Sequence, residues 1–425
     1  MFAHFASAGS RALAVAALAF GARIACGEAL PVFSDTGPEA GAHGAARGYP
    51  LGKAGLETNQ PPFMVGSYSH QDEILRSRIV PRGAQASMLS RASQELAVTY
   101  TYQGAQQTLD TYLERHPATG LLIAHDRTIL FEHYRYRRTD AQRFTSQSMA
   151  KTMTAMLIGI AVSEGAIKSV DEPVSAYVEE LKGTELGATS IRALLHMASG
   201  IEFAEAYDGT GDSAALTRDL WRRDTPGPAR SLAKFDKRIA PPDTVWHYAG
   251  LDTETLGLVL TRATGAPPAQ YLSSRIWAKI GAEADASWIV DASGQEATFC
   301  CVNAVLRDWT RFAILLAHDG RWNDEQVIPQ AWVREATTAA PAGSFLAPGT
   351  ATRFWGYGSP TWIMPGARRQ FALLGMHGQS IFVDPASKLV LVHTAVRRKA
   401  NNDPAAAELL SLWRALVAQE TPKAP

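Results

Sequence analysis

The apolar, β-rich runs of this chain lie at its two ends, and the material between them is helical. Near the start, Gly120-Leu-Leu-Ile-Ala-His125 and Ile129-Leu-Phe-Glu-His-Tyr134 flank Asp126 and Arg127, a hairpin signal. Near the end, Phe371-Ala-Leu-Leu374, Ser380-Ile-Phe-Val-Asp384 and Leu389-Val-Leu-Val-His-Thr394 follow one another at strand length. From about residue 171 to residue 284, Pro- and Gly-containing loops separate short helical patterns, among them Ile191 to Met197, Ala214 to Arg222 and Thr253 to Ala263. A strand cannot leave its backbone unpaired, so distant segments must meet in one sheet, with the helical stretch looped out between them. The expected fold class is α/β: an antiparallel sheet flanked by helices, beside an all-helical lobe.

Further helices are expected at Gln107 to His116, after Ser148, at Asn303 to His318 and at Ala405 to Val417, with Gly165 as the stop of the second and a turn at Gly320-Arg-Trp-Asn323. With 425 residues and 46% apolar composition the chain can bury a large core. Its 41 basic and 41 acidic residues cancel, and no basic stripe interleaved with aromatics appears. Nucleic-acid binding is therefore not expected.

Arg11 precedes an apolar stretch, Ala12 to Ala22, that is too short to span a bilayer, and Gly27 and Ala29 fit a cleavage site. The expected division is a leader over 1–29, an irregular N-terminal arm over 30–104 and a catalytic domain over 105–420, with the helical lobe at about 165–290. The mature chain is expected to be periplasmic or secreted, with no membrane span. Cys26 permits a lipoprotein as the minor alternative, although Arg23 occupies the place where an aliphatic residue belongs. Cys300 and Cys301 would then remain, and as neighbours they are expected to stay unbonded, as two small buried residues before a helix. No metal-ligand spacing is present.

Chemistry is concentrated at Ser148-Met-Ala-Lys151, just before a helical pattern carrying Met149, Met153, Met156, Leu157 and Ile160. On a helix, positions i and i+3 lie about 60° apart, close enough for a hydroxyl and an amine to meet. Thr145 or Ser146 is expected to cap the helix, leaving Ser148 in the first turn, where N–H groups favour an oxyanion. Lysine acts as a base only when desolvation or a nearby cation brings its pKa down from about 10.4. A chain of this size yields Ser-x-x-Lys by chance about as often as not, and a second copy stands at Ser231-Leu-Ala-Lys234. That copy follows Pro226-Gly-Pro228, lacks apolar periodicity and is expected to be a surface turn.

Two later segments favour Ser148. Trp246-His-Tyr248 places a tyrosine at a helix entrance, and Gly375-Met-His377-Gly378-Gln379-Ser380 opens an apolar strand. With Leu194-Leu-His-Met-Ala-Ser-Gly200, Leu306-Arg-Asp-Trp-Thr-Arg-Phe312 and Ile381-Phe-Val-Asp-Pro385, the set resembles the penicillin-recognising, β-lactamase-like serine hydrolases. Within them it most resembles the 6-aminohexanoate-dimer hydrolases and related carboxylesterases. The resemblance covers about residues 105 to 415. It implies Ser148 as the acylated nucleophile, Lys151 as its activating partner and Tyr248 as a proton shuttle. It also implies an oxyanion hole built from the Ser148 N–H and an N–H after His377 and Gly378, at Gln379 or Ser380. Neither metal nor cofactor is implied.

Departures from the pattern narrow the substrate. Many relatives have Tyr-x-Asn, but Gly250 stands third here, and His377 replaces the strand lysine that holds a substrate carboxylate. Both weaken a β-lactam assignment. Trp355, Tyr357 and Trp362 are expected either to line an apolar acyl pocket or to pack in the core. The expected activity is hydrolysis of a small-molecule ester through an acyl-enzyme. The alternatives are an amidase for linear amides, such as aminohexanoate oligomers or D-amino-acid peptides, and a catalytically silent binding protein on the same scaffold.

Overall fold

The computed structural model of the chain describes residues 28–420. The expected leader and Cys26 therefore lie, apart from residues 28 and 29, outside the described residues. The main sheet runs, from edge to edge, Val32–Phe33, Thr128–Tyr134, Ala118–His125, Leu389–Ala395, Gln379–Asp384, Phe371–Gly375, Trp362–Ile363 and Gly356–Tyr357. The N-terminal hairpin thus pairs directly with the last strand of the chain, Leu391 opposite Ile123. Pairing is antiparallel except where Val32–Phe33 and Ser90–Arg91 each join Thr128–Tyr134 in parallel, which makes the sheet mixed.

Both faces of this sheet are covered, which explains why its strands read as nearly unbroken apolar runs. Successive side chains go to opposite sides. Leu122, Ala124, Ile381, Val383, Val390 and Val392 enter the larger core, with the helices Ala150–Ser163 and Leu306–Ala317. Leu121, Ile123, Phe382, Leu389 and Leu391 enter a second core, with Leu109–Arg115 and the C-terminal helix Ala405–Glu420.

The helical segments between the N- and C-terminal strands include Ile191–Leu195, Gly211–Trp221 and Gly250–Thr264. Gly165 adopts a φ of 76° just past the Ser148 helix, in keeping with its expected role as a stop. The expected turn at Gly320 belongs to a two-stranded hairpin, Arg321–Trp322 with Glu325–Gln326. Ser231 is not at the surface: it is fully buried in the short helix Pro228–Leu232, while exposed Lys234 pairs with Asp219. Leu216, Leu220 and Leu232 draw that helix into the core.

A second, four-stranded sheet, in the order Ser77–Val80, Ala286–Ile289, Val302–Ala304, Phe144–Thr145, leads directly into the Ser148 turn. Its first strand comes from the N-terminal segment, which also supplies the helix Pro61–Tyr68.

One close contact ties the helical segment to this region. A Cβ on Gly257 would stand 2.1 Å from Oγ1 of the buried Thr298. Gly257→Ala gains about 1 kcal/mol of helix propensity. Overpacking costs about 1–3 kcal/mol, and displacing Thr298 strains two further hydrogen bonds, each worth about 1 kcal/mol. The variant is expected to be less stable by about 1–3 kcal/mol, read as a lower urea midpoint; an unchanged midpoint contradicts this packing.

Candidate active site

Ser148 sits in the 3₁₀ turn Gln147–Met149 that runs into the helix Ala150–Ser163. The preceding residue, buried Gln147, has a φ of 45°, a left-handed conformation that is costly for a side chain bearing a Cβ. Surrounding bonds hold the turn in place. The Ser146 N–H donates to the Val302 carbonyl at 2.7 Å, and the Val302 N–H donates to Ser146 Oγ at 3.0 Å. The Thr145 hydroxyl donates to Gln71 Oε1 at 2.7 Å, and Ser146 Oγ donates to the Gln147 carbonyl. Neither side chain caps the helix as expected, because both are committed to the sheet and to the N-terminal segment. Ser148 nonetheless lies in the first turn, where N–H groups lack helical acceptors.

Lys151 is 2% exposed, and its ammonium donates to Ser148 Oγ at 3.3 Å and to the Phe299 carbonyl at 2.7 Å. Its Nζ lies 5.0 Å from the ring centre of Tyr248 and 5.5 Å from that of Phe299. Burial lowers its pKa to about 8, against the opposing pull of Glu205 and Glu254. The pKa of the Tyr248 phenol is raised by burial and then by the charge of Glu205, with a smaller opposing influence from the Ser148 side chain nearby. Ser148, Lys151 and Tyr248, separated by up to 100 residues in sequence, are therefore gathered around the Lys151 ammonium.

Gly375 closes the other side of the turn: a Cβ there would lie 2.6 Å from the Ser146 carbonyl oxygen. Gln379 and Ser380 stand one strand further in, paired across from Gly375 and Leu374. The Gln379 side chain is pinned to the Ala395 carbonyl at 2.7 Å. His377 is buried at a φ of 58°, its Nδ1 donates to the Arg397 carbonyl at 2.7 Å, and burial lowers its pKa. The ring is thus held neutral against the main chain, which makes it unsuited to holding a carboxylate.

The aromatic residues gather around Tyr248. Trp362 stacks on it at 5.6 Å, Tyr357 meets it edge-on at 6.3 Å, and Trp355 reaches Trp362 at 6.4 Å. Trp246 joins the same cluster, 5.4 Å from Tyr357.

Several parts of the site are not among the residues expected from the sequence. Glu205 accepts from the Gly250 N–H at 2.8 Å. Glu254, fully buried with its pKa raised to about 8 by burial, accepts from the Thr298 N–H at 2.8 Å. It thereby holds the residue next to Phe299. Two acids near the start of a helix with a buried face, Asp252 and Glu254, were the available clue.

Cys300 and Cys301 correct another expectation: they are joined to each other, with Cα atoms 3.7 Å apart. Cys301 takes a φ of 74°, and this backbone conformation accompanies the bond between adjacent residues. The bonded pair directly follows Phe299, and Gln71 Nε2 donates to Cys301 Sγ at 3.7 Å.

A family model described as Beta-lactamase matches residues 105–412. The 6-aminohexanoate-dimer hydrolase of Paenarthrobacter ureafaciens is 27% identical over 296 residues, covering 67% of this chain and 74% of that protein. A putative 6-aminohexanoate-dimer hydrolase from Bacillus anthracis superposes with a TM-score of 0.76 at 23% identity, over 86% of this chain and 97% of that one. EstCE1, a hydrolase with promiscuous acyltransferase activity, superposes with a TM-score of 0.56 at 15% identity, over 70% and 93%. Among the described residues no helix is long and apolar enough to cross a membrane.

Proposed function

The chain belongs to the Beta-lactamase family and is a serine hydrolase, and on that premise we propose that it cleaves carboxylic esters through an acyl-enzyme on Ser148. The observation that carries this reading is the hydrogen bond of desolvated Lys151 to the Ser148 hydroxyl, with the Tyr248 ring against the same ammonium. Neutral Lys151 takes the Ser148 proton as Oγ attacks the carbonyl carbon. The oxyanion is received by the Ser148 N–H and by an N–H of the strand motif. Gly375 and Met376, one strand nearer than Gln379 or Ser380, are the favoured source. Tyr248, which burial keeps protonated, gives its proton to the departing alkoxide and is replenished from Lys151. Water then enters, and the same groups run in reverse to release the acid. Trp355, Tyr357 and Trp362 are assigned to the apolar wall beside Tyr248.

Esters are favoured over amides by what the site lacks. Gly250 offers no side-chain amide to a substrate carbonyl, and the neutral His377 offers no cation. Amide hydrolysis is the second reading, favoured by the likeness to a 6-aminohexanoate-dimer hydrolase. We place the mature protein outside the cytoplasm, from the leader pattern of residues 1–29.

A fluorophosphonate probe with peptide mass spectrometry is expected to label Ser148. Matched p-nitrophenyl esters and p-nitroanilides are then expected to show ester turnover in large excess. No label on folded protein favours the silent binding module, and turnover of anilides alone selects the amidase.

A further inference from the structure

Gly250 leaves room two residues beyond Tyr248, and a side chain from elsewhere stands at that room. A Cβ on Gly250 would lie 3.3 Å from Glu205 Oε2 and 3.7 Å from the ring of Phe299, whose carbonyl accepts from Lys151. Glu205 comes from the loop after Ile201 and is half-buried, held by the Gly250 N–H at the head of the helix Gly250–Thr264. This donor is neutral, so it fixes the carboxylate without cancelling its charge. A helix N-terminus favours an anion there.

The electrostatic consequence depends on Lys151. While Lys151 carries a proton, its charge faces that of Glu205. In the form that can accept the Ser148 proton it is neutral, and the carboxylate at Gly250, whose charge acts on Lys151 and Tyr248, is left without that balance. A substrate carrying its own carboxylate meets the repulsion in the reactive form of the enzyme.

Resting on the ester-hydrolase reading, we propose that Glu205 is a specificity-determining residue that selects uncharged substrates and rejects those with a carboxylate near the scissile ester. The site then differs in sign from one that holds an anionic substrate. The rejection is an active repulsion, built in from the helical segment, in addition to the absence of an anion-binding group.

The test compares two pairs of esters differing by one charge: mono-p-nitrophenyl adipate against p-nitrophenyl hexanoate, and 3-carboxyphenyl acetate against its methyl ester. The first puts the charge on the acyl side and the second on the leaving side. Wild-type enzyme is expected to prefer the uncharged member of at least one pair by about tenfold in kcat/KM, as suits unit charges several Å apart in a partly screened cleft. The preference is expected to shrink in high salt. Glu205→Gln, which retains an acceptor for the Gly250 N–H, is expected to bring the ratio within about threefold of unity, and Glu205→Asp to retain most of it. Equal use of both members of both pairs by wild-type enzyme, or a ratio unmoved in folded Glu205→Gln, overturns the proposal. Should that variant not fold, the wild-type ratios and their salt dependence still decide. Failure of Ser148 to take the fluorophosphonate label counts against the hydrolase reading instead.

Discussion

Ser148→Ala is expected to lower kcat by about 10⁴-fold or more, the loss seen when a nucleophile acting in concert with its base is removed. The substitution removes the Oγ to which Lys151 is hydrogen-bonded and leaves the turn around it intact. Ser146, Gln147 and Thr145 hold that turn through bonds in which the Ser148 side chain takes no part. Stability is therefore expected to stay within about 1 kcal/mol of wild type, and fluorophosphonate labelling to vanish. Residual ester turnover within tenfold of wild type, on folded protein, would place the nucleophile elsewhere.

Lys151→Met should have the second largest effect, a loss of about 10³-fold or more in kcat/KM, because Ser148 would then keep its proton. Methionine matches the length and the apolar stem, so the burial that costs the ammonium its hydration is easily met. The variant is expected to fold at least as stably as wild type near neutral pH. The wild-type pH profile carries the same information. Lysine is active as a base when neutral, and burial brings its pKa down to about 8. At pH 7 about a tenth of the enzyme is then in the reactive form, and kcat/KM should climb about tenfold as pH rises through 8 before levelling. The sign for stability follows. A folded pKa below the unfolded value means that the unfolded chain binds more protons between about 8 and 10.4, so this group adds stability as pH rises through that window. A profile flat from pH 6 to 9 would remove Lys151 from the rate-determining proton transfer.

What could be read before folding depended on the kind of group involved. Strands at both ends, the Ser148 helix and the helices between them follow from apolar spacing, because burial of one face imposes a period that side chains display directly. The pairing of Ala118–His125 with Leu389–Ala395 follows less directly, from the need of distant strands for partners. Ser148, Lys151 and Tyr248 stood out because their chemistry belongs to side chains at recurring positions. The Phe299 carbonyl that receives the Lys151 ammonium is a backbone group, and any residue carries one. The left-handed turn at Gln147 is imposed from outside by Val302 and Gln71, and nothing at position 147 announces it.

Local reasoning failed where tertiary packing overruled it. Thr145 and Ser146 are good capping residues, yet the strand and the N-terminal segment claim their hydroxyls first. Cys300 and Cys301 are poor partners on ordinary backbone, and they join at the left-handed φ of Cys301. Ser231 looked exposed because its flanks are polar, but neighbouring leucines carry it inside.

The sequence by itself determined the class of architecture, through periodicity, and singled out the proposed nucleophile, through a Ser-x-x-Lys pair that a helix must bring together. The tertiary structure alone decided the electrical character of the site. The pKa of Lys151 depends on how far packing removes it from water, and the charge beside it comes from Glu205, a residue on a loop 57 positions after Ser148 that no local pattern connects to it. Desolvation and through-space charge act over distances in the fold, and distance along the chain does not record them.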